Sequence, residues 1–320
     1  MKRVFFLATL WLCMVGQLSA QKKINVYEQG NIPKSASEQG LYGPVKSVKY
    51  TDFSLKGDSV YHEFGYTLKF NRIGQLIEAR WASSITKDTI IQYYTYDSLN
   101  RFESRYSSDG TFSERAVYDS LGRFSHSVRT RRNEKPDSCY RYCYDHEGHC
   151  IRYERFIDPN EPDVYKILEH PFLYDSVGHC IGEAEILDED TSYIVQCQYD
   201  ANGRVIEYLR RDFVFDYFTG EFTGEEETER ELYEYNEGGK ITKKQLFYDG
   251  ELSRTSYYEY DAQNKMQKGM ECDSNGNIIM TFNSLYDHFG NFIESTSERW
   301  GLGKKNGFST RLIYEIEYWE

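Results

Sequence analysis

The stretch YDSLGRF, Tyr118 to Phe124, decides the fold because close relatives of it recur along the chain. Asp at its second position is suited to cap a turn by accepting hydrogen bonds from the backbone two residues on. Gly at its fifth position tolerates the left-handed backbone that closes such a turn. Between strand-like flanks, the stretch predicts a type I turn with a G1 bulge that joins two antiparallel strands.

Ten stretches share this pattern, with Asp or Asn second, Gly or Asn fifth, a polar residue sixth and an apolar residue seventh. The sixth residue is predicted to face solvent and the seventh to face the core. The ten copies are FNRIGQL from Phe70, YDSLNRF from Tyr96, YDSLGRF from Tyr118, YDHEGHC from Tyr144, YDSVGHC from Tyr174, YDANGRV from Tyr199, YNEGGKI from Tyr235, YDAQNKM from Tyr260, CDSNGNI from Cys272 and YDHFGNF from Tyr286. The predicted turn residues include Asp97, Asp119, Gly122, Asp145, Gly148, Asp175, Gly178, Asp200, Gly203, Asp287 and Gly290.

The residues before each turn alternate between the two faces of a strand. Two positions before the first residue of most copies lies an aromatic or aliphatic residue, as at Tyr94, Tyr142 and Tyr258. Residues i and i−2 of a strand share one face. The intervening positions are more polar, for example Glu234 and Glu259. One face of the predicted sheet therefore carries a ladder of Tyr and aliphatic side chains.

The spacing of the copies predicts the topology. Apart from the Cys272 copy, they begin 22 to 36 residues apart, which fits two strands of about ten residues each with their turns. Strands with a two-residue period joined by short turns form an antiparallel meander, here of about eighteen to twenty strands. The repeat turns then lie along one edge of the sheet, and the variable segments 130–138, 158–164, 187–191 and 212–229 lie along the other.

An open twisted sheet rarely exceeds about ten strands without curling, and one apolar face has to be hidden. The sequence therefore predicts an all-β fold, a long antiparallel meander of hairpin repeats that curls or spirals as a single sheet around its Tyr ladder. A small β-propeller of four or five blades is the alternative, because two repeat units approach the length of one blade. We expect helices to be almost absent.

The recurring Tyr-Asp-x-x-Gly-Arg pattern, over roughly residues 60–295, resembles the YD repeat of the RHS family. The resemblance implies a strip of antiparallel sheet, which in large members spirals into a hollow shell around a C-terminal toxin; sugar binding has also been suggested for the family. The chain looks most like the short secreted YD-repeat proteins. We expect no toxin domain, since the sequence continues to Glu320 in another strand-like run, RLIYEIEYW.

The N-terminal residues have the pattern of a cleaved secretory signal. Lys2 and Arg3 are basic, residues 4–15 are apolar, and Ala20 ends a small-residue cleavage site. We predict a signal peptide at 1–20 and export to the periplasm, the cell surface or the medium. The apolar stretch is too short for a confident membrane span, so we expect no integral span after cleavage.

The mature chain is predicted to have a linker at 21–41 and one YD-repeat β domain at 42–320. Removal of Lys2 and Arg3 leaves 36 basic and 51 acidic residues, a net charge of −15. This charge disfavours nucleic acid and anionic lipid as partners.

Six cysteines remain after cleavage, and an exported protein can form disulfides. Cys143 and Cys150 flank one repeat turn, and Cys180 and Cys197 flank the connection at the other edge. Each pair is a candidate disulfide if the strand register places both cysteines on one face. The bulged turn instead favours Tyr144 as the partner of Cys150, so the first pair depends on the register.

The triplet Gly-His-Cys, at 148–150 and 178–180, has a composition that suits metal binding. In both triplets, however, His takes the sixth repeat position and Cys the core-facing seventh, and adjacent strand residues point to opposite faces. The run from Asp273 resembles a calcium loop, but its twelfth position is Ser284 in place of an acidic residue. We therefore predict neither a metal nor a cofactor.

No nucleophile elbow, HExxH motif or phosphate loop is present, and we predict no catalytic residues. The predicted function is a non-catalytic binding or scaffold module that uses the variable edge. A candidate surface for a glycan or a protein partner is the aromatic run Phe213, Phe215, Tyr217 and Phe218, whose alternative is an additional strand. The alternative function is a carbohydrate-active hydrolase, which needs a concave pocket with two carboxylates about 5–10 Å apart.

Overall fold

The computed structural model describes residues 33–57, 59–82, 89–131, 136–156, 166–187, 190–215, 222–301 and 304–320. Within these ranges the regular structure is entirely β, and none of it is a helix that could cross a membrane. The twenty strands are β1 (Val45–Lys56), β2 (Ser59–Phe70), β3 (Leu76–Ala82), β4 (Thr89–Tyr96), β5 (Phe102–Ser107), β6 (Phe112–Tyr118), β7 (Phe124–Arg131), β8 (Pro136–Tyr144), β9 (Cys150–Phe156), β10 (Lys166–Tyr174), β11 (Cys180–Leu187), β12 (Asp190–Tyr199), β13 (Val205–Phe215), β14 (Phe222–Tyr235), β15 (Ile241–Tyr248), β16 (Glu251–Tyr260), β17 (Met266–Asp273), β18 (Ile278–Tyr286), β19 (Phe292–Gly301) and β20 (Lys304–Tyr318).

The strands form a closed antiparallel barrel. Each strand pairs with the next along the chain, and β1 also pairs with β20 from Val45↔Tyr318 to Lys56↔Phe308. This closure contradicts both the predicted curled or spiralling open sheet and the propeller alternative. A closed ring satisfies the backbone hydrogen bonds that the two edges of an open sheet would leave unpaired.

Nine repeat copies form the turns at one end of the barrel, which we call the turn rim. In the copy at 118–124, Gly122 donates its N–H to the carbonyl of Asp119, whose carboxylate accepts the N–H groups of Leu121 and Arg123. The fifth residue has a positive φ, between 61° and 92°, in all ten copies, as the repeat predicts. These residues are Gly74, Asn100, Gly122, Gly148, Gly178, Gly203, Gly239, Asn264, Gly276 and Gly290.

The register at each turn keeps the Tyr ladder inside the barrel. Tyr118 pairs with Phe124, and Val117 pairs with His126, so Ser125 is an extra residue in a β-bulge. The bulge allows both the first and the seventh residue of the copy to point inward. The buried apolar residues on this face include Phe70, Leu76, Phe102, Phe124, Tyr142, Cys150, Phe172, Cys180, Val195, Cys197, Val205, Tyr208, Tyr233, Ile241, Met266 and Phe282.

Neighbouring repeat turns are locked together by their first and sixth residues. The hydroxyl of Tyr118 donates to the carbonyl of Phe102 in the preceding turn, at 2.6 Å. The guanidinium of Arg101 lies 4.2 Å from the centre of the Tyr118 ring, and it also forms an ion pair with Asp97 at 2.7 Å. The prediction that the sixth residue faces solvent is therefore wrong for Arg101, which packs against the next Tyr in a cation–π contact. It is correct for Asn277 of the Cys272 copy, which is exposed.

Farther from the turn rim, the inner face becomes ionic. Glu114 is 1% exposed and lies 2.6 Å from Arg105 and 3.7 Å from Arg129. In another part of the barrel, Nε2 of the buried His170 lies 3.0 Å from the carboxylate of Glu185. Buried charges are tolerated when they are paired in this way. The barrel interior thus has an apolar layer at the turn rim and an ionic layer beyond it.

Residues 33–44 complete the turn rim where the ring joins β20 to β1 without a repeat turn. Ala36 donates its N–H to the carbonyl of Gly74 at 2.8 Å. Asn291 bonds both the N–H and the carbonyl of Tyr42, and its amide lies 2.6 Å from the hydroxyl of Tyr318. Residues 33–41 of the predicted linker are therefore packed against the barrel. Residues 1–32, which contain the predicted signal peptide, lie outside the described part of the chain.

Candidate functional site

A cavity of about 500 Å³ lies inside the barrel at the turn rim, beside the seam between β19, β20 and the N-terminal segment. This volume falls within the range of small-molecule pockets. Its lining is mainly aromatic and aliphatic. The lining residues are Gly40, Tyr42, Lys240, Tyr258, Tyr260, Gln263, Asn264, Lys265, Met266, Met280, Phe282, Ser284, Tyr286, Phe289, Gly290, Phe292, Ser295, Ser297 and Leu312.

At the cavity, the last repeat carries small inward side chains where several other repeats carry large ones. The inward residue two positions before the first Tyr of a copy is Tyr94 or Tyr142 in earlier copies but Ser284 in the last. Ser284 is opposite Ser295 across β18 and β19, whereas Tyr142 is opposite Tyr153 across β8 and β9. Two hydroxymethyl groups thus replace two phenol rings, and the space between them stays open.

One wall of the cavity is fixed by a glycine. Gly269 on β17 is opposite Phe282 on β18, and a Cβ built on Gly269 would lie 1.9 Å from Cζ of that ring. Only glycine allows the ring to lie against the strand at this point. A larger residue at position 269 would push Phe282 out of its place in the cavity wall.

Ser284 places an unsatisfied polar group in this apolar wall. Its Oγ is buried and has no hydrogen-bond partner among the residues that the structure describes. The neighbouring hydroxyls are satisfied: Ser295 Oγ donates to the carbonyl of Asn283 at 2.9 Å, and Ser297 Oγ lies 2.7 Å from the hydroxyl of Thr310. Because a buried polar group without a partner is costly, Ser284 is the natural hydrogen-bonding point for a ligand.

Among the described residues of the lining, two lysines carry the charges. Lys240 and Lys265 occupy the sixth position of their copies, where arginines such as Arg123 and Arg204 form ion pairs with the Asp of the same turn. Among the ion pairs of the described residues, none involves either lysine. The ammonium of Lys265 lies 5.8 Å from the centre of the Tyr286 ring and against the turn glycine Gly290. The mouth of the cavity therefore carries two ammonium groups, with the carboxylate of Asp261 in the same turn as Lys265.

The phenols of the cavity do not offset this charge. Burial is the main cause that raises the pKa of Tyr286, to about 12, with the nearby Asp261 adding to the effect. Burial also raises the pKa of Tyr258 and Tyr260. The three phenols are neutral at pH 7, and the lining residues that the structure describes include neither Asp nor Glu. The cavity therefore suits an apolar body with an anionic group and lacks the two carboxylates that glycoside hydrolysis needs.

The aromatic run of the variable edge is only partly described. Phe213 is half-buried near the end of β13, and Phe215 lies on the same strand. Tyr217 and Phe218 lie outside the described residues. The surface formed by this run stays a prediction, and neither Phe213 nor Phe215 lines the cavity.

The two candidate disulfides are not formed. Cys143, Cys150, Cys180 and Cys197 are not disulfide-bonded in the structure. The register places Cys143 opposite Arg152 and Cys150 opposite Tyr144, so the first two thiols point to opposite faces. Burial raises the pKa of Cys150 and of Cys180 to about 11. These thiols fill the core at the seventh repeat position and are poor nucleophiles at neutral pH.

The histidine of the first Gly-His-Cys triplet belongs to its turn. His149 Nδ1 lies 3.1 Å from the carboxylate of Asp145, and its ring stacks on Tyr174 with centres 4.8 Å apart. Asp145, Glu147 and His149 do bring three ligand-type atoms within 4.8 Å of one another. His149 makes the same two kinds of contact as the arginines at the sixth position, one with the Asp of its turn and one with the Tyr of the next copy. The repeat therefore accounts for its placement.

No family model and no curated protein matches the chain. The solved structures that resemble it include a TcdB2-TccC3-Cdc42 complex, at 12% identity over 74% of this chain and 16% of that chain, with a TM-score of 0.32. A porin-like protein from Bacteroides uniformis aligns at 9% identity over 86% of this chain and 99% of its own, with a TM-score of 0.39. A LolA superfamily protein from Nitrosomonas europaea aligns at 9% identity over 87% of both chains, with a TM-score of 0.23.

These similarities are too distant to identify a family or a function. The chain spans only 16% of the TcdB2-TccC3-Cdc42 chain that it resembles. The closed barrel also conflicts with the description of the protein as a YD or RHS repeat protein, because that resemblance implied an open strip of sheet. The repeat is a real feature of the sequence, but here it builds a ring.

Proposed function

We propose that the protein is an exported, non-catalytic binding module that holds a small amphipathic anion in the turn-rim cavity. The observation that carries this proposal is the cavity of about 500 Å³ with a buried, unpartnered hydroxyl in an aromatic wall. The signal-like N-terminus supports the exported part of the proposal.

Each part of the ligand corresponds to a part of the site. A ring system or another apolar body fills the space among Phe282, Phe292 and Leu312. An internal hydrogen-bonding group faces Ser284, and an anionic group lies near Lys240 and Lys265 at the mouth. A charge-assisted hydrogen bond of this kind is worth about 1.5–3 kcal/mol, reduced by solvent where the lysine is exposed.

Two dyes with matched chemistry test the proposal. Anilinonaphthalene sulfonate carries aromatic rings, one amine N–H and a sulfonate, and N-phenylnaphthylamine carries the same rings and amine without the sulfonate. We expect the purified mature protein to bind both dyes with a rise in fluorescence, and to bind the sulfonate more tightly. The Lys240→Gln and Lys265→Gln variants should each weaken sulfonate binding about fivefold, which corresponds to about 1 kcal/mol, and leave the uncharged dye unaffected.

An occluding variant identifies the cavity as the place of binding. Met280 lines the cavity, and Met280→Trp should fill part of its volume and weaken both dyes. If Met280→Trp binds each dye as tightly as the wild type does, the dyes bind elsewhere on the protein and the proposal is overturned. Thermal unfolding of each variant confirms that the barrel is intact. The glycan or protein ligand at the variable edge remains a separate proposal, tested by a glycan-array screen.

A further inference from the structure

The fourth residue of each repeat copy stands at the tip of its turn, and in one part of the turn rim these tips are apolar. Ile73, Leu99 and Leu121 are 64%, 69% and 75% exposed. They belong to three successive turns, which touch through the lock between the first and sixth residues. Turns two strands apart around a barrel are about 9–10 Å apart. The three side chains thus form a row on the outside of the rim.

The row continues across the seam to the cavity. Residues 33–44 contact the Ile73 turn through Ala36 and the last repeat turn through Tyr42. Tyr42 is 60% exposed and Phe289, the tip of that last turn, is 40% exposed. We call these five residues, Phe289, Tyr42, Ile73, Leu99 and Leu121, the rim arc. Tyr42 and Phe289 also line the cavity, so the arc leads to its mouth.

Elsewhere on the rim the tips are mainly polar. The fourth residue is Glu147, Asn202 or Gln263 in other copies, and Val177 is an apolar tip that lies outside the arc. The apolar tips are therefore grouped on the side of the rim that adjoins the seam. Large exposed apolar groups that cluster in this way mark an interaction surface.

The backbone of the arc suits an apolar surrounding. The N–H of each aliphatic tip is bonded within its own turn: Ile73 donates to the side chain of Asn71 at 3.1 Å, Leu99 to Asp97 at 2.9 Å and Leu121 to Asp119 at 2.9 Å. Burial of these tips in a medium without hydrogen-bonding groups would leave none of the three N–H groups unsatisfied.

We propose that the rim arc docks the protein on a lipid surface, with the mouth of the cavity at the membrane interface. Projecting aliphatic side chains, on turns whose tip N–H groups are hydrogen-bonded within the turn, fit the boundary between headgroups and acyl chains. The negative net charge of the protein favours a zwitterionic lipid surface over an anionic one. The docking rests partly on the proposed function, because the arc and the cavity share Tyr42 and Phe289. An amphipathic ligand would then pass between the membrane and the cavity without crossing water.

Sedimentation with phosphatidylcholine vesicles tests the docking. The wild type should sediment with the vesicles. A triple variant, Ile73→Gln with Leu99→Gln and Leu121→Gln, should have a partition coefficient at least about tenfold lower, because each substitution removes an apolar side chain whose transfer from water to lipid is favourable. The matched control is Val60→Gln. Val60 is 54% exposed on β2, at the end far from the turn rim, and its substitution should leave vesicle binding unchanged.

Several outcomes would overturn the docking. They are a wild type that stays in the supernatant, a triple variant that binds like the wild type, and a Val60 variant that loses binding as much as the triple variant does. If the wild type does not bind vesicles but forms a dimer, and the triple variant is monomeric, the rim arc binds a second copy of the chain instead.

The Met280→Trp variant separates docking from ligand binding. It should lose the dyes and keep its vesicle binding, because its substitution lies inside the barrel. A wild type that binds vesicles but neither dye would refute the proposed function and leave the docking in place.

Discussion

Replacement of Ser284 by Ala should make the unliganded protein more stable and its ligand binding weaker. The hydroxyl is buried without a hydrogen-bond partner, and such a group costs about 1–3 kcal/mol of folding free energy. Alanine removes the group without a change in backbone conformation. We therefore expect the free energy of unfolding of Ser284→Ala to rise by about 1 kcal/mol or more.

Ser295 provides a matched control inside the same cavity. It is opposite Ser284 in the register, lines the same space and is similarly buried, but its Oγ donates to the carbonyl of Asn283. Ser295→Ala removes this bond, so it should lower the free energy of unfolding by about 1 kcal/mol. The two substitutions are chemically identical and should shift stability in opposite directions.

Urea unfolding of the two variants and the wild type, followed by Tyr and Trp fluorescence, measures the difference. The same proteins should be titrated with N-phenylnaphthylamine, whose amine faces Ser284 in the proposed complex. Ser284→Ala should weaken this dye about fivefold, the equivalent of about 1 kcal/mol. If Ser284→Ala destabilises the protein as much as Ser295→Ala does, the hydroxyl is satisfied and the reasoning that made it a ligand contact is wrong.

Three further predictions concern the repeat itself. Tyr118→Phe should lower the free energy of unfolding by about 1 kcal/mol, because it removes the hydroxyl bond to the preceding turn; an unchanged urea midpoint would show that the lock is only a packing contact. Gly203→Ala should lower the free energy of unfolding more than Gly110→Ala does. Both glycines have a φ of 72°, but only a Cβ at position 203 would meet another group, Nε2 of His179 at 2.9 Å. Equal urea midpoints for the two variants would contradict this contact. A hydrogen bond from the guanidinium at the sixth position is the main reason that the pKa of Asp119 lies below its ordinary value of 3.8. The ionised Asp119 carboxylate therefore stabilises the fold above pH 3.8, and this stabilisation is lost as the pH falls through the lower pKa of the folded state. Between about pH 5 and about pH 2, the urea midpoint should fall less for Asp119→Asn than for the wild type.

The local structure was readable from the sequence because each repeat encodes it completely. Asp119 and Gly122 specify the turn, and the alternation before Tyr118 specifies the inner face. Closure of the barrel was not readable in the same way. It depends on the pairing of Lys49 with Glu315 and their neighbours, at opposite ends of the chain and outside the regular turns. A repeat pattern describes the pairing of neighbouring strands and does not specify a pairing between strands far apart in sequence.

The solvent exposure predicted for the sixth residue failed for a related reason. Within one copy, Arg101 follows a turn and has polar character, which favours water. Its actual contact is Tyr118 of the next copy, and that contact exists only when two hairpins stand side by side. The order of the strands was predicted correctly from the repeat, and the side-chain contact between adjacent hairpins was missed.

The cavity left a signal in the sequence, in the places where the repeat departs from its own pattern. Ser284 replaces an aromatic or aliphatic inward residue, Lys240 and Lys265 replace ion-paired arginines or histidines, and Asn291 replaces a cation at the sixth position of the last copy. At Lys240 and Lys265 the departure gives up the ion pair with the acidic residue of the turn that Arg101, Arg123 and Arg204 form. All four residues lie at the cavity or at the seam beside it. In a barrel that is stabilised by the repetition of one hairpin, departures that are scattered in sequence but adjacent in space are best explained by a shared role. The substitutions at Ser284, Lys240 and Lys265 test that role directly, because each should change ligand binding by more than its effect on stability would require.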